Sequence, residues 1–239
     1  MKTIFCTYGD QKFAKSRVRL ASEADNIGIF DECLVFTEDL KNDDIFRDQV
    51  LCPSFAEVSN ADRGGGYWIW KPFLLGKVLA SLAFGDIMVY ADAGSSIPLG
   101  ASAALMRFID RIACSEKGVL GCRNPFIEKD WTKGDIFDYF NARNKPELTH
   151  SRQFSAGRMH IAKHCQHSLS LYREWWRIAC DRPDLFSDSP SKTPNLPGFQ
   201  ENRHDASIWS LLCKTYGVVE EWEWDSIPPS ARKVVTPVN

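Results

Sequence analysis

Short apolar runs and longer amphipathic stretches alternate along the first half of the chain. "KTIFCTYGD" (residues 2–10), "ECLVFT" (32–37) and "DIMVY" (86–90) have the length and the β-branched and aromatic content of buried strands. Residues Gln11 to Asn26 place Phe13, Leu20, Ala24 and, one step on, Ile27 on one face, with Lys12, Lys15, Arg17 and Arg19 on the others, which predicts a helix. Thr37 followed by "EDL" marks another helix start. "KPFLLGKVLASLAFG" (71–85) predicts a third helix, with Pro72 at its head and Gly85 behind it.

The second half is more mixed. "ALMRFIDRIAC" (104–114), "SLSLYREWWRIAC" (168–180) and "DASIWSLLCKTYG" (205–217) have helical spacing, the last closed by Gly217. "TKGDIFDYFNA" (132–142) opens on Thr132 as a cap, "GVLGC" (118–122) is strand-like, and "VVEEWEW" (218–224) alternates like an edge strand. Strand–helix alternation predicts an α/β fold with a mixed, mainly parallel sheet flanked by helices. The stretch Asp181 to Arg203 is rich in proline and polar residues and predicts a long loop, a candidate lid. The tail from Ser226 reads as peripheral. No internal repeat or low-complexity tract is visible.

Composition narrows the functional classes. The 239 residues are 44% hydrophobic and 25% charged, an ordinary globular balance, and suit one domain spanning 1–239. The formal net charge of −2 gives no reason to expect nucleic acid as a partner. Eight tryptophans within 12% aromatic content supply core, or stacking walls for sugars and bases. The eight cysteines are scattered singly with no CxxC pair, which argues against a cysteine-built zinc site and for reduced thiols in a cytoplasmic protein. Met1 leads straight into an expected strand without the apolar region of a signal peptide, and no run nears the ~20 residues that span a bilayer.

Four stretches carry candidate chemistry. "GDIMVYADAGSSIPLG" (85–100) ends a strand on Asp92 and surrounds that acid with small residues, including Ala93 and Gly94. In an open α/β sheet ligands bind beyond the carboxyl ends of the strands, so an acid there can face a bulky ligand; equally, "DAGSS" is good turn chemistry. "RGGGYWIWKPF" (63–73) sets three glycines beside large rings and Lys71, which fits a loop folding over a ligand with a cation for a phosphate, or a glycine turn with Trp68 and Trp70 in the core. It matches neither a Walker loop nor a dinucleotide fingerprint. "ENRHDASIWSLL" (201–212) places His204 and Asp205 at a helix mouth, where Asp205 suits an N-cap and His204 a metal or phosphate. "QFSAGRMHI" (153–161) allows close approach at Ser155, Ala156 and Gly157, or marks a bulge.

Taken in order, "TYGD", "GYWIWKP", "GDIMVYADAG", "SAG" and "RHDxSI" resemble the GT-A-type glycosyltransferases of bacterial polysaccharide (capsule and O-antigen) assembly and their viral relatives, over about Lys2 to Tyr216. The resemblance implies a GT-A-like, Rossmann-like fold with a nucleotide-binding half at about 1–100 and a donor-sugar and acceptor half at about 101–239. It implies transfer of a sugar from a nucleotide sugar, most often UDP-linked, to a glycan or lipid-linked glycan, in the cytoplasm and with peripheral association at the inner membrane face. Thr7, Tyr8 and Gly9 would contact the nucleotide, with Arg17 and Trp70 facing the same pocket, and Ser155, Ala156 and Gly157 would line the donor sugar. Asp92 matches the first aspartate of the family's Asp-x-Asp motif, and His204 the late histidine that completes a Mn²⁺ or Mg²⁺ shell. Asp205 would act on the sugar or acceptor side.

Gly94 stands where the second, directly metal-binding aspartate belongs. Metal binding through Asp92, His204, diphosphate and water therefore competes with charge stabilisation by side chains, Lys71 first. Two other classes remain open: a non-catalytic nucleotide- or glycan-binding module, and a metal-dependent hydrolase using Asp92, His204 and His160 or His164, whose "MHIAKHCQH" lacks the acid of an HExxH motif.

Overall fold

The computed structural model describes residues 1–157 and 159–221. Its first sheet runs β2 (Glu32–Phe36), β1 (Thr3–Tyr8), β3 (Ile87–Ala91) and β6 (Met159–Lys163), in that order. β1 is parallel to both neighbours, and β6 lies antiparallel on β3. A second sheet orders β5 (Arg152–Phe154), β4 (Leu120–Ile127) and β7 (Val219–Glu221), with β7 parallel and β5 antiparallel to β4. A bridge between Val119 and Ala162 joins the two sheets. The architecture is the mixed, mainly parallel α/β fold that the periodicity predicts.

Every residue of β1 and β3 is buried, as expected for central strands covered on both faces. Among the described residues, five helices of twelve residues or more form the layers: α1 (Ala14–Asn26), α2 (Trp70–Ser81), α3 (Ser102–Ala113), α4 (Gln166–Asp181) and α5 (Asp205–Tyr216). One core joins Leu20 and Ala24 of α1 and Phe108, Ile109 and Ile112 of α3 to Phe5, Val89 and Ile161. On the opposite face α2, α4 and α5 close a larger core in which Trp175 and Trp209 have ring centroids 4.7 Å apart, with His160 wedged between them and Tyr172.

Chain order places β2 and β3 on opposite sides of β1, so the connection leaving β1 runs to one side while the chain leaving β3 departs on the other, and a crevice opens between their carboxyl ends. That crevice lies beyond Tyr8 on one strand and Ala91 on the other.

Boundaries and caps show where local chemistry was overruled. α2 starts two residues ahead of Pro72, and the Thr132 hydroxyl donates to Glu128 Oε1 at 2.6 Å instead of capping the helix Gly134–Tyr139. Phe13 begins the face assigned to α1 yet stands 45% exposed, because a 3₁₀ turn at Gln11–Phe13 precedes the helix proper. β7 covers only the first part of the alternating stretch at 218–224, whose end lies outside the described residues together with the tail from Ser226.

Candidate active site

At the carboxyl end of β3, Asp92 does not use its side chain as a turn acid would. The turn is closed by the backbone, Ser95 N–H to Asp92 C=O at 2.7 Å. The carboxylate instead accepts from the Tyr90 hydroxyl at 2.7 Å and pairs with Lys71 Nζ at 3.2 Å, both through Oδ1. Asp205 behaves similarly. His204 holds the N-cap position and Asp205 is the first residue of α5, so the expected cap is absent and its Oδ2 lies 3.0 Å from Lys71 Nζ. Lys71 also donates to the Ala156 carbonyl at 3.1 Å.

Three oxygens thus lie within 3.2 Å of the ammonium, two of them from carboxylates, and the residue is 1% exposed. At that burial Lys71 sits behind the carboxylates and not on the surface of the crevice. Burial pushes the Lys71 pKa down, but the two carboxylates push it up more strongly, and it ends above its ordinary value. Burial raises the Asp205 carboxyl to about 6, with Lys71 opposing. Burial, reinforced by Asp92, raises the Tyr90 phenol, so Tyr90 remains a donor.

The outer oxygen of Asp92 is different. Among the described residues no hydrogen bond reaches Oδ2, the side chain is 30% exposed, and a Cβ at Gly157 would come within 3.4 Å of it. Gly157 keeps that approach clear, and Gly94 has open space where a Cβ would stand. The "SAG" stretch thus serves both sides of the cluster: Ala156 supplies a carbonyl behind it and Gly157 leaves room before it.

The remaining predicted residues divide into lining and support. Thr7 is fully buried and its hydroxyl donates to Ala91 C=O at 2.8 Å, tying β1 to the end of β3. Gly9 sits so close to Phe13, Arg17 and the buried Ala93 that a Cβ would come within 3.0 to 3.3 Å of each. Arg17, half-buried, donates to the Gly9 carbonyl and keeps its guanidinium at the mouth of the crevice. The Tyr8 and Trp70 rings pack together, tilted by 31° with centroids 3.8 Å apart, and are nearly buried, so they form one wall and not two free platforms. Ser155 is buried, its N–H bonded to Cys122 C=O at 2.9 Å.

The glycine–aromatic stretch adopts a conformation the sequence does not announce. Gly64, Gly65, Gly66, Tyr67 and Trp68 all have positive φ, at 62, 61, 102, 49 and 58°. They form a short left-handed turn, with Trp68 N–H bonded to Gly64 C=O at 3.3 Å. L-residues pay about 1–2 kcal/mol each in that region, so such a turn persists only where its surroundings enforce it. A Cβ at Gly66 would lie 2.4 Å from Ser59 C=O, and one at Gly64 would strike the Trp68 ring. The turn delivers Tyr67 and Trp68 onto His204, with ring centroids 5.2 and 5.4 Å away, and His204 itself has φ 53°. Three strained non-glycine residues thus meet beside the cluster.

His204 is 2% exposed, and its Nε2–H donates to Asp188 Oδ1 at 2.8 Å. Burial lowers its pKa and Asp188 opposes that shift, with the net value below the ordinary one. Asp188, on the proline-rich loop, also pairs with Arg63 at 3.0 Å. That loop is tethered to the segment 129–143. Lys133 donates to the Asp184 and Ser187 carbonyls at 2.6 and 3.2 Å, and Asp135 accepts from the N–H groups of Lys192 and Thr193 at 2.9 Å. Tyr90 and Asp188 were missed as site residues; "VYAD" offers Tyr90 two positions before the acid, on the same strand face, whereas Asp188 has no local signal.

A divalent ion would have to draw on these same donors. Asp92 Oδ1 and Asp205 Oδ2 share Lys71, and His204 Nε2 is engaged by Asp188. Among the described residues no three His, Cys, Asp or Glu side chains are grouped so as to hold a metal ion, so the side chains alone do not make a complete shell. The hydrolase reading meets a similar obstacle: His160 Nε2–H donates to Ala156 C=O at 3.0 Å and Nδ1 accepts from Tyr172 at 3.0 Å, leaving neither nitrogen for an ion. Its pKa is lowered to about 3 by burial, with Lys71 adding to the effect.

No protein-family model matches the chain, and no curated protein matches it. Among solved structures it is similar to a glycosyltransferase involved in the glycosylation of the major capsid of PBCV-1, with 11% identity, a TM-score of 0.41, and coverage of 77% of this chain and 68% of that one. It is similar to mouse xyloside xylosyltransferase 1, with 13% identity, a TM-score of 0.47, and coverage of 93% and 85%. It is also similar to the galactosyltransferase LgtC in complex with donor and acceptor sugar analogs, with 10% identity, a TM-score of 0.47, and coverage of 92% and 72%. At such identities the chemistry has to be argued from the residues of the site.

Cys6, Cys33, Cys52, Cys114, Cys165, Cys180 and Cys213 are free thiols. Among the described residues no helix is long and apolar enough to cross a membrane.

Proposed function

We propose that this protein transfers a sugar from a nucleotide sugar, UDP-linked in the first instance, to a glycan acceptor in polysaccharide assembly. The observation that carries the proposal is the convergence of Lys71, Asp92, Asp205 and Ala156 on one point at the carboxyl end of β3, beside the switch point of the parallel strands. Four of the motifs that carry the sequence resemblance meet there.

Cleavage of the bond between sugar and diphosphate leaves positive charge on the sugar and negative charge on the phosphate. In this reading the nucleotide lies along the Tyr8–Gly9 end of β1, with Arg17 the cation nearest the diphosphate. Asp92 Oδ2 faces the sugar across the space Gly157 leaves open. Of the two catalytic candidates Asp92 is the one able to touch substrate, and Asp205, 5% exposed, acts through Lys71. The stacked wall of Tyr67, Trp68 and His204 and the tethered loop at Asp188 restrict water at the far side.

The test is UDP release from a panel of UDP-glucose, UDP-galactose and their N-acetylamino counterparts, with thermal shift on the same samples. Slow release from one donor, with a shift to higher melting temperature, supports the transferase. A shift without release turns the reading to a binding module, and neither a shift nor release with any UDP compound removes it.

A further inference from the structure

Lys71 is the unusual element of the site, because a buried ammonium sits where two carboxylates would otherwise face each other. Its neighbours are Asp92 Oδ1 at 3.2 Å, Asp205 Oδ2 at 3.0 Å and Ala156 C=O at 3.1 Å. A divalent ion held between the two acids would compete with Lys71 for Asp92 Oδ1 and Asp205 Oδ2, and Asp92 Oδ2 alone is a single protein ligand. Gly94 removes the other carboxylate that could have held an ion further out, leaving open space. What remains facing the crevice is a single carboxylate oxygen, Asp92 Oδ2, anchored from behind by Tyr90 and Lys71.

We infer that Lys71 is the resident cation of this site, taking the place of a divalent metal, and that Asp92 Oδ2 accepts a hydrogen bond from a ring hydroxyl of the sugar bound there. The second half rests on the nucleotide-sugar reading; the first stands without it. A carboxylate held by an internal ammonium is a preorganised acceptor for a hydroxyl, because its position is fixed before the ligand arrives. The same arrangement predicts selectivity: a sugar lacking the hydroxyl that meets Oδ2 leaves a partly desolvated acceptor without a partner, which weakens binding.

Two measurements test this on the full-length protein. In the first, Mn²⁺ alone is titrated into the protein and free Mn²⁺ is followed by electron paramagnetic resonance. The result expected is no stoichiometric site. One Mn²⁺ per chain, lost in Asp92→Asn, overturns the inference whatever becomes of the nucleotide-sugar reading. In the second, UDP-glucose and UDP-galactose, each with its 2-, 3- and 4-deoxy analogues, are titrated calorimetrically with EDTA and with Mn²⁺. Affinity that is unchanged by Mn²⁺, and lower by about tenfold or more for one deoxy analogue in wild type but not in Asp92→Asn, supports it. Tightening by Mn²⁺ of about tenfold or more that Asp92→Asn removes contradicts it. If none of these ligands binds, the nucleotide-sugar reading and the hydroxyl contact fall together, and the manganese titration still decides whether Lys71 is the resident cation. Lys71→Met, checked for folding by circular dichroism, is expected to gain Mn²⁺ binding; if it does not fold, the wild-type titration stands alone as the deciding result.

Discussion

Among the described residues lie two buried lysine–carboxylate clusters, and they differ in one respect that separates scaffold from site. In the first, Glu128 is fully buried between β4 and α5 and accepts from Thr132 at 2.6 Å, Gln153 at 2.9 Å, Ser210 and Lys214. In the second, Lys71 is buried between Asp92 and Asp205. The first has one acid for its lysine, and burial wins: the Lys214 pKa falls below its ordinary value despite Glu128. The second has two acids, and they win: the Lys71 pKa rises despite burial. The first is sealed, whereas the second keeps one oxygen, Asp92 Oδ2, facing cleared space. A buried ion pair alone is weak evidence for function; an excess carboxylate at the edge of a crevice points to a ligand.

The comparison is broken most severely at the sealed cluster. Glu128→Gln strands the Lys214 charge and is expected to cost about 3–5 kcal/mol in denaturant unfolding, while leaving UDP-sugar affinity of the folded fraction unchanged. A loss of affinity without a loss of stability would assign the sealed cluster to the site as well.

Next in size is the left-handed turn. Gly66→Ala drives a methyl against Ser59 C=O and strains a φ of 102°, and is expected to cost about 2 kcal/mol. Because the turn carries Tyr67 and Trp68 onto His204, nucleotide-sugar affinity should fall as well. Thermal melts with and without UDP-glucose separate the two effects.

Protonation behind the open cluster comes third. His160 has a pKa lowered from 6.5 to about 3, so the unfolded chain takes up a proton below pH 6.5 that the folded protein refuses. Its contribution is therefore complete above pH 6.5 and is lost as pH falls toward 3, at about 1.4 kcal/mol per pH unit. Asp205 acts in the opposite sense: with its pKa raised from 3.8 to about 6, the folded protein gains stability as pH falls through that window. The wild-type melting curve thus mixes the two, and its difference from His160→Gln isolates the histidine. A difference independent of pH between 4 and 6.5 would show that His160 is not held neutral.

The smallest effect is expected for Tyr90→Phe, which removes one anchor from Asp92 Oδ1 and should cost about 1 kcal/mol in stability. An equal or larger effect on substrate affinity would show that Asp92 depends on Tyr90 for its aim.

What the sequence disclosed follows the range of the forces involved. The strands around β1 and the helices of the larger core were legible because hydrophobic period is a local property, and Gly217 does close α5, at φ 76°. Asp92 and Asp205 were legible as acids but ambiguous in role, since turn and cap chemistry use the same residues. Only the approach of Lys71, 21 positions from Asp92 and 134 from Asp205 in sequence, diverts both carboxylates from those local uses. Asp188 was invisible for the same reason: it reaches His204 through a loop fastened by Lys133 and Asp135, residues more than fifty positions away. Thr132 went the other way, drawn from a helix end to Glu128. The glycines at 64–66 signalled a turn, yet its left-handedness extends through Tyr67 and Trp68, which no propensity favours.

The central claim is that the open carboxylate of Asp92 acts on an activated sugar. Its most direct test is the rate of UDP release from the best donor of the UDP-sugar panel, measured for wild type, Asp92→Asn and Glu128→Gln at equal folded concentration. The expected result is a loss of about a hundredfold or more in Asp92→Asn and wild-type release in Glu128→Gln. Release by Asp92→Asn at the wild-type rate would contradict it.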